Sequence, residues 1–416
     1  MKTGKNVAIV ATLDTKGNEV SYLKELIEKR GHQVLVIDAG VLREPLVEPD
    51  FSRNDVARAA GTTIQEVIAF GEWKKASETM ATGAKIIARR LCSEGRLDGI
   101  IGIGGTMGTT LGAIAMRNLP LFLPKVMISS VTFSPFFHSE IVSKDMVMIP
   151  TMVEFTGGIT NDMIKTVIEN AAGAISGMVE SYQSKPALKR PLVGITSFGM
   201  PALKFDEWAA PLLKEKGYDV AVFPGAGSNF EEAVEAGAIS ASLDIMAAAQ
   251  LVNEVCGGIN VPSRTRFEAG RKRGIPQVFA PGVVELFSCR PPVETLPRHL
   301  RERKTFQRSA LIIAVQTSRE EIAKAGKIMA QKLNEMTGPT AMLFPSRGFS
   351  EWDKPDAPHN FRFYNPEARA AFVEAFKENV KPHVKVLEFD LHINDVDFAR
   401  EAVAVLHDMI LQRVVP

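Results

Sequence analysis

The sequence predicts an α/β protein made of two Rossmann-like domains with mostly parallel sheets. Apolar runs of strand length alternate with segments of helical periodicity along the whole chain. The second half also opens with the same order of strand, turn, helix and strand as the first half. At 416 residues the chain is long for a single hydrophobic core. For the second domain, a TIM-barrel-like fold is the alternative.

A polar segment with two prolines, residues 182–191, divides the chain and is interpreted as the domain linker. It separates an N-terminal α/β domain, residues 1–184, from a C-terminal α/β domain, residues 192–416. Hydrophobic residues make up 45% and charged residues 23% of the chain, which is the composition of an ordinary soluble globular protein.

The first domain begins with a strand, a helix and a second strand. Residues 7–13 are apolar, apolar residues then recur at helical spacing, and residues 34–38 form the next strand. In parallel sheets, ligands bind beyond the carboxyl ends of the strands. Four polar residues are expected there: Asp14, Thr15, Lys16 and Asp38. Lys16 suits phosphate oxygens and Asp38 suits a ribose hydroxyl. The alternative is that Asp14 caps the helix and Lys16 is solvated.

A glycine-rich turn lies within residues 97–116, which are typical of a buried strand, a tight turn and a helix N-terminus. Glycines let backbone N–H groups approach an anion, and the helix start adds a favourable dipole. The turn therefore predicts a phosphate site for a nucleotide. The residues assigned to it are Gly104, Gly105, Thr106, Gly108 and Thr109. The pattern is neither G-x-G-x-x-G nor a P-loop, and close packing of helix on sheet is the alternative.

The rest of the first half continues the alternation. Residues 45–63 are expected to be irregular, helices are expected at 64–71, 80–93 and 161–181, and strands at 126–130 and 145–149. His138 lies in a polar and aromatic loop, residues 131–143, and is interpreted as structural rather than catalytic.

The second half contains a second glycine loop, residues 224–229, after the strand at 218–223. Later strands are expected at 241–245, 276–280, 310–315, 340–344 and 385–390. Four of these end in polar or glycine turns, at 280–282, 316–318, 345–348 and 390–395. If the strands are parallel, these turns converge on one face of the sheet.

That convergence predicts a cluster of ionisable and polar side chains. Its members are Glu285, Arg347, Asp390, His392, Asn394 and Asp395. Carboxylates and an imidazole suit general acid–base catalysis, and Arg347 suits an anionic substrate. A divalent metal site is a less specific interpretation. The structural alternative is that these residues cap helices and hold loops, as Asn394 and Asp395 readily do ahead of a helix.

Several classes of partner are disfavoured. The net charge of +1 gives no general attraction to nucleic acid or to an acidic membrane. Three scattered cysteines without CxxC spacing suit a reducing compartment. The basic residues between 290 and 308 are interrupted by glutamates, which favours a solvated face or a subunit contact. No stretch approaches the ~20 apolar residues of a membrane span. We therefore expect a soluble cytoplasmic protein with no membrane and no nucleic-acid partner.

Ordered motifs along nearly the whole chain resemble one family. They lie at residues 11–17, 102–109, 119–125, 170–174, 274–277, 281–282, 347–350 and 392–395. Together they resemble the UPF0261 family, which is similar to the N-terminal region of the Tm-1 tomato mosaic virus resistance protein. The resemblance implies a two-domain α/β chain that binds ATP with Mg²⁺ in its N-terminal domain and forms a homodimer or a higher homo-oligomer. It places the nucleotide at the glycine turn, with Asp14 and Lys16 nearby, and implies no particular reaction.

The chain departs from the family pattern in its second half. Gly227-Ser228 replaces a usual glycine–arginine step, residues 306–310 lack a usual His-Asn pair, and Glu285 replaces a usual aspartate. We therefore expect the ligand of the second domain to differ from that of typical members.

Three functions fit these observations. The leading hypothesis is an ATP-binding cytoplasmic protein whose second domain takes a small anionic metabolite, with phosphoryl transfer or ligation as the reaction if it is an enzyme. An ATP-independent enzyme of the lyase or hydrolase type would instead use the second-domain cluster. A nucleotide-regulated binding protein without catalysis is the third.

Overall fold

The computed structural model describes residues 4–117, 119–134, 142–155, 161–183, 190–197, 199, 203–225, 228–358 and 362–414. The chain divides into two compact units, residues 1–186 and 187–416, called unit 1 and unit 2 below. Some residues singled out in the sequence lie outside the described ranges. These are His138, residues 184–189 of the linker, and Ala226 and Gly227 of the second glycine loop.

Unit 1 is a parallel sheet covered by helices on both faces. Its strands are β1 (Asn6–Ala11), β2 (Gln33–Asp38), β3 (Gly99–Gly104), β4 (Lys125–Ser129) and β5 (Val147–Pro150). Its helices are α1 (Leu13–Glu28), α2 (Arg53–Ala59), α3 (Ile64–Ala69), α4 (Trp73–Ser93), α5 (Thr106–Met116) and α6 (Asp162–Ser181). The strand order is β2-β1-β3-β4-β5, and all neighbouring strands are parallel.

Both faces of this sheet are buried, which explains the unbroken apolar runs of its strands. On β1, Val7 and Ile9 pack into the layer that contains α1 and α6. Ala8 and Val10 point the other way, into the layer that contains α2 and α4. A strand with one solvent-facing side would instead show alternating polar residues.

The strand order creates a topological switch point between β1 and β3. The chain leaves β1 toward β2 on one side of the sheet, and the later strands extend from β3 on the other. The helices that follow these two strands, α1 and α5, therefore lie on opposite faces and leave a crevice beyond the strand ends. In open α/β sheets this crevice is where ligands bind. Both segments assigned to the nucleotide from the sequence flank it.

Unit 2 contains a parallel sheet and a small antiparallel sheet. Its strands are β6 (Leu192–Ser197), β7 (Asp219–Pro224), β8 (Ala241–Asp244), β9 (Gln277–Phe279), β10 (Leu286–Cys289), β11 (Thr305–Ser309), β12 (Ile312–Gln316), β13 (Thr340–Pro345) and β14 (Lys385–Phe389). Its helices are α7 (Leu203–Glu215), α8 (Ser228–Glu235), α9 (Ala247–Cys256), α10 (Glu268–Arg273), α11 (Arg298–Arg301), α12 (Arg319–Leu333), α13 (Pro366–Asn379) and α14 (Val396–Val414).

The main sheet of unit 2 has the order β14-β13-β9-β8-β6-β7, with every pair parallel. Helices α7 and α14 cover one face, and α9, α12 and α13 belong to the apolar layer on the other. Within the described residues β7 and β14 form open edges of this sheet. The TIM-barrel-like alternative is therefore wrong, because a barrel requires the first and last strands to pair.

Two further expectations are corrected. The strand expected at 310–315 is β12, which pairs antiparallel with β10 and β11 and lies outside the parallel sheet. Its apolar run could not reveal its partner, since pairing is a long-range property. Residues 45–63 are also not wholly irregular, because α2 begins after Ser52 with a capping box that Asp55 completes.

Within the described ranges, no helix is both long and apolar enough to cross a membrane.

Candidate functional site

The first turn of α1 lies at the switch point of unit 1, and Asp38 caps it. The Leu13 N–H donates to Asp38 Oδ1 at 3.1 Å, and the Gly40 N–H donates to the same atom at 2.9 Å. Burial raises the pKa of Asp38, while these two N–H donors act against the rise. This oxygen is therefore engaged by the backbone, and the ribose contact expected of Asp38 stays a prediction.

Asp14 and Lys16 turn in different directions from α1. Asp14 Oδ2 accepts the Leu42 N–H at 2.7 Å, and the buried Oδ1 has no hydrogen-bond partner. Lys16 Nζ donates to the Phe155 carbonyl at 3.2 Å. Thr15 Oγ1 lies 2.9 Å from Thr12 Oγ1, so this hydroxyl pair stays at the helix start. The Lys16 side chain thus points toward the segment that follows β5, and the Asp14 side chain points toward the loop that follows β2.

The glycine turn after β3 combines close packing with an open helix end. A Cβ on Gly104 would lie 2.6 Å from the Cα of Gly108, so the strand end and α5 approach too closely for a side chain. The buried Thr109 hydroxyl lies 2.8 Å from Ser129 Oγ and 3.2 Å from the Gly104 carbonyl. Packing, the alternative interpretation, therefore accounts for Gly104 and Thr109, whereas a Cβ on Gly108 would meet the Ile103 carbonyl oxygen at an ordinary 3.4 Å. Gly105 and Thr106 remain at the accessible N-terminus of α5, which has no side-chain cap.

Glu154 connects the loops that follow β3, β4 and β5. Its Oε2 and Oε1 accept the Ser130 hydroxyl at 2.9 and 3.1 Å. Its Oε1 also lies 3.2 Å from the position of a Cβ on Gly105. The next residue, Phe155, accepts the bond from Lys16. The two segments assigned to the nucleotide are thereby brought together across the switch point.

We call Lys16, Gly105, Thr106, Ser130 and Glu154 the unit 1 floor. It presents a lysine ammonium, two hydroxyl groups and the N–H groups of an uncapped helix, which attract anions. The exposed Glu154 carboxylate supplies the only negative side chain of this set. Sequence reasoning missed Ser130 and Glu154. Both follow the ends of strands, as Asp14 and Lys16 do, so the same rule of ligand binding beyond strand ends applies to them.

The floor fits a divalent cation only as part of a ligand complex. The described residues contain no group of three or more histidine, cysteine, aspartate or glutamate side chains placed to hold a metal. Mg²⁺ is commonly held by one or two carboxylates together with substrate phosphates. Glu154 is the floor carboxylate suited to that role.

In unit 2, two members of the predicted cluster form an exposed ion pair. Arg347 Nε and Nη2 donate to the two carboxylate oxygens of Asp390 at 3.0 and 2.8 Å. This bidentate contact is the main cause that lowers the pKa of Asp390 and raises that of Arg347. Because both side chains are exposed, the pair contributes little to stability, yet it leaves a guanidinium at the surface.

Two other members lie in a buried network around Ser350. The Ser350 hydroxyl donates to Glu285 Oε1, and its backbone carbonyl accepts His392 Nε2 at 3.0 Å. His392 Nδ1 accepts the Asn394 N–H at 3.1 Å, so the proton of the neutral ring lies on Nε2. Burial is the largest cause that lowers the pKa of His392. Both ring nitrogens are thus engaged with the backbone.

Glu285 differs from His392 because one of its oxygens is free. Oε2 is buried without a hydrogen-bond partner. Burial, with a smaller contribution from the nearby Asp353 carboxylate, raises the pKa of Glu285 to about 8. Asp353 itself pairs with buried Arg369 at 2.7 Å. Burial therefore favours the protonated form of Glu285.

The remaining members of the cluster hold the loop after β14. Asp395 Oδ2 accepts the His392 N–H at 2.8 Å, immediately before α14, as the structural alternative expected. Asn394 Nδ2 donates to Glu351 at 3.2 Å. The turn after β12 also contacts this region, because the Thr317 hydroxyl donates to the Val284 carbonyl, next to Glu285, at 2.9 Å. The contact forms even though β12 itself is not in the parallel sheet. The structure therefore divides the predicted cluster into an exposed pair, a buried network and a loop contact immediately before α14.

Sequence reasoning also missed two buried carboxyl groups near the end of β6. Asp206 in α7 has a buried Oδ1 without a partner, and burial raises its pKa to about 6. Asp244 accepts the Thr196 hydroxyl at 2.7 Å and pairs with the buried Arg266, which also binds Glu231 at 3.0 Å. These residues are distant in sequence, so no local pattern could have grouped them.

These features define a protein of two doubly wound α/β units, the first with a candidate anion site at its switch point. Residues 5–184 match the N-terminal domain, and residues 190–410 the C-terminal domain, of the uncharacterised protein family UPF0261. The chain belongs to the UPF0261 family.

Relatives cover nearly the whole chain. A UPF0261 protein from Brucella melitensis is 32% identical over 98% of this chain and 96% of its own length. One from Clostridium tetani is 34% identical over 95% of this chain and 96% of its own length. The ToMV susceptible protein tm-1(GCR26) of Solanum lycopersicum is 30% identical over 95% of this chain, which spans 55% of that protein.

Solved structures are only distantly similar. The UDP-GlcNAc 2-epimerase of Methanocaldococcus jannaschii has 10% identity and a TM-score of 0.23, with 91% of this chain and 94% of that chain covered. A similarity of this size carries no argument about function.

Proposed function

We propose that unit 1 binds ATP as its Mg²⁺ complex, with the triphosphate on the unit 1 floor. The observation that carries this proposal is the meeting of Lys16 and the uncapped N-terminus of α5 at the switch point, through Phe155 and Glu154. A lysine and free helix N–H groups are the usual protein partners of phosphate. Bound Mg²⁺ would screen the phosphate charge, and Glu154 would contact it.

The test is isothermal titration of the full chain with ATP and Mg²⁺. Lys16→Ala is expected to weaken binding about ten-fold or more, since a charge-assisted contact is worth about 1.5–3 kcal/mol. Lys24→Ala is the control, because Lys24 lies on the same helix and pairs with Glu28 at 3.8 Å. Equal affinity of the wild type and both variants, or no binding at all, would overturn the proposal.

For unit 2, we propose acid–base chemistry on a small anionic metabolite, with Glu285 as proton donor and Arg347 as the group that holds the anion. Glu285 supports this because burial raises its pKa and favours the protonated form, and because it keeps one unpartnered oxygen. His392 is the weaker candidate for the proton transfer, since both of its nitrogens are engaged. Arg347 would exchange Asp390 for a carboxylate or phosphate of the ligand.

The test is a thermal-shift screen of small carboxylates and phosphate esters. A ligand is expected to raise the melting temperature of the wild type and of Arg400→Ala, but not that of Arg347→Ala. Arg400 is a matched control because it forms a similar exposed pair with Asp397 at 2.6 Å. Ligand turnover with and without ATP then separates the ATP-dependent from the ATP-independent enzyme. Binding of ATP with no metabolite response would favour the nucleotide-regulated binding protein instead.

A further inference from the structure

Three apolar side chains are exposed on the loops that surround the unit 1 floor. Phe133 and Met152 are each 86% exposed, the highest values among the large apolar residues of the described chain, and Met107 is 44% exposed. Met107 lies in the first turn of α5 after β3, Phe133 follows β4, and Met152 follows β5. We call these three residues the apolar rim.

The rim and the floor belong to the same edge of the sheet. β3, β4 and β5 are adjacent and parallel, so the loops after them leave the sheet on one side. Glu154 also joins these loops directly, through its contacts with Ser130 and its approach to Gly105. Each rim residue is within three residues of a floor residue: Met107 of Thr106, Phe133 of Ser130 and Met152 of Glu154.

Such exposure is unfavourable unless something covers it in use. Burying a phenylalanine or methionine side chain is worth about 1.5–3 kcal/mol. A bare polyphosphate would contact the floor and leave the rim in water. A ligand with an anionic group at one end and a flat aromatic ring at the other would contact both, because phenylalanine stacks on bases and methionine sulfur contacts aromatic rings.

We propose that the apolar rim binds the base of the nucleotide and makes the site selective for nucleoside phosphates over bare polyphosphates, with Phe133 as the main stacking residue. This inference rests on the proposed phosphate site in unit 1 and adds to it a binding surface for the base of the nucleotide. Charge complementarity favours a nucleotide as the ligand. Lys16 and the N-terminus of α5 lie beside the rim and attract an anion, so a molecule that covers the rim should also carry a negative group.

The experiment compares ATP with inorganic tripolyphosphate, both with Mg²⁺, by isothermal titration of the full chain. ATP is expected to bind at least ten-fold more tightly than tripolyphosphate. Phe133→Ala should weaken ATP binding about ten-fold and leave tripolyphosphate binding unchanged, while Phe133→Trp should retain ATP affinity. Phe122→Ala is the matched control, because Phe122 is 68% exposed but precedes β4 and so lies toward the opposite edge of the sheet.

The outcomes separate this inference from the function on which it rests. If ATP and tripolyphosphate bind equally and Phe133→Ala changes neither, the rim inference is overturned while the phosphate site stands. If neither ligand binds, both fail. If Phe133→Ala leaves binding intact but reduces the molecular mass measured by sedimentation, the rim contacts a second copy of the chain and the inference is again overturned.

Discussion

At the residue scale, burial without a partner distinguishes functional candidates from structural ones. His392 lies in a turn at the end of a parallel strand, where catalytic residues are expected, yet both of its ring nitrogens bond to the backbone. Glu285 departs from the usual aspartate of the family, yet it keeps a buried oxygen without a partner and a raised pKa. A carboxyl group in such a site stays neutral, because ionisation would leave a charge in a medium of low polarity.

Glu285 predicts a particular dependence of stability on pH. Its pKa is about 8 in the folded protein and 4.5 for the solvated side chain of the unfolded chain, so the folded state holds the proton more tightly. The stabilisation from this group is complete below pH 4.5 and is lost as pH rises through 8. Glu285→Gln should remove this contribution, so the variant should lose less stability than the wild type between pH 5 and about 9 in urea denaturation.

The control for this prediction is Glu388→Gln, because Glu388 forms an exposed pair with Lys377. That variant should follow the wild-type pH profile. Parallel pH profiles for wild type and Glu285→Gln would contradict the raised pKa.

At the element scale, a single arginine holds several segments of unit 2. The buried Arg266 pairs with Asp244 at the end of β8 and with Glu231 in α8, and its Nε donates to Gln250 in α9 at 2.8 Å. Gln250 in turn donates to the Gly225 carbonyl of the second glycine loop. Gly225 is therefore linked to a side chain more than 40 positions away in the sequence.

Arg266→Leu is expected to lower the free energy of unfolding by about 3–5 kcal/mol, because it leaves two buried carboxylates without their cation. Arg271→Leu is the control: Arg271 pairs with Glu335 at the surface, so about 0–1 kcal/mol is expected. Chemical denaturation measures both. A loss below 1 kcal/mol for Arg266→Leu would show that the network does not hold these elements.

At the scale of the whole molecule, two units share one arrangement of strands. Unit 1 has the order β2-β1-β3-β4-β5, and the first five strands of the parallel sheet in unit 2 repeat it, with β14 added at the edge. Each unit therefore has its own switch point, between β1 and β3 and between β6 and β8. The homodimer or higher oligomer and the cytoplasmic location that the sequence suggested stay predictions.

The sequence by itself determined the α/β class, the parallel βαβ plan, most strands of both sheets and the segments after β1 and β3 that flank the switch point. Those features depend on local periodicity and glycine turns, which are legible residue by residue. Only the tertiary structure decided that β12 pairs antiparallel, that the second sheet is open, that Asp38 caps α1, and that Lys16 bonds to Phe155 beside Glu154, which approaches the glycine turn. Each of these depends on contacts between residues far apart in the chain, and such contacts leave no periodic pattern in the sequence.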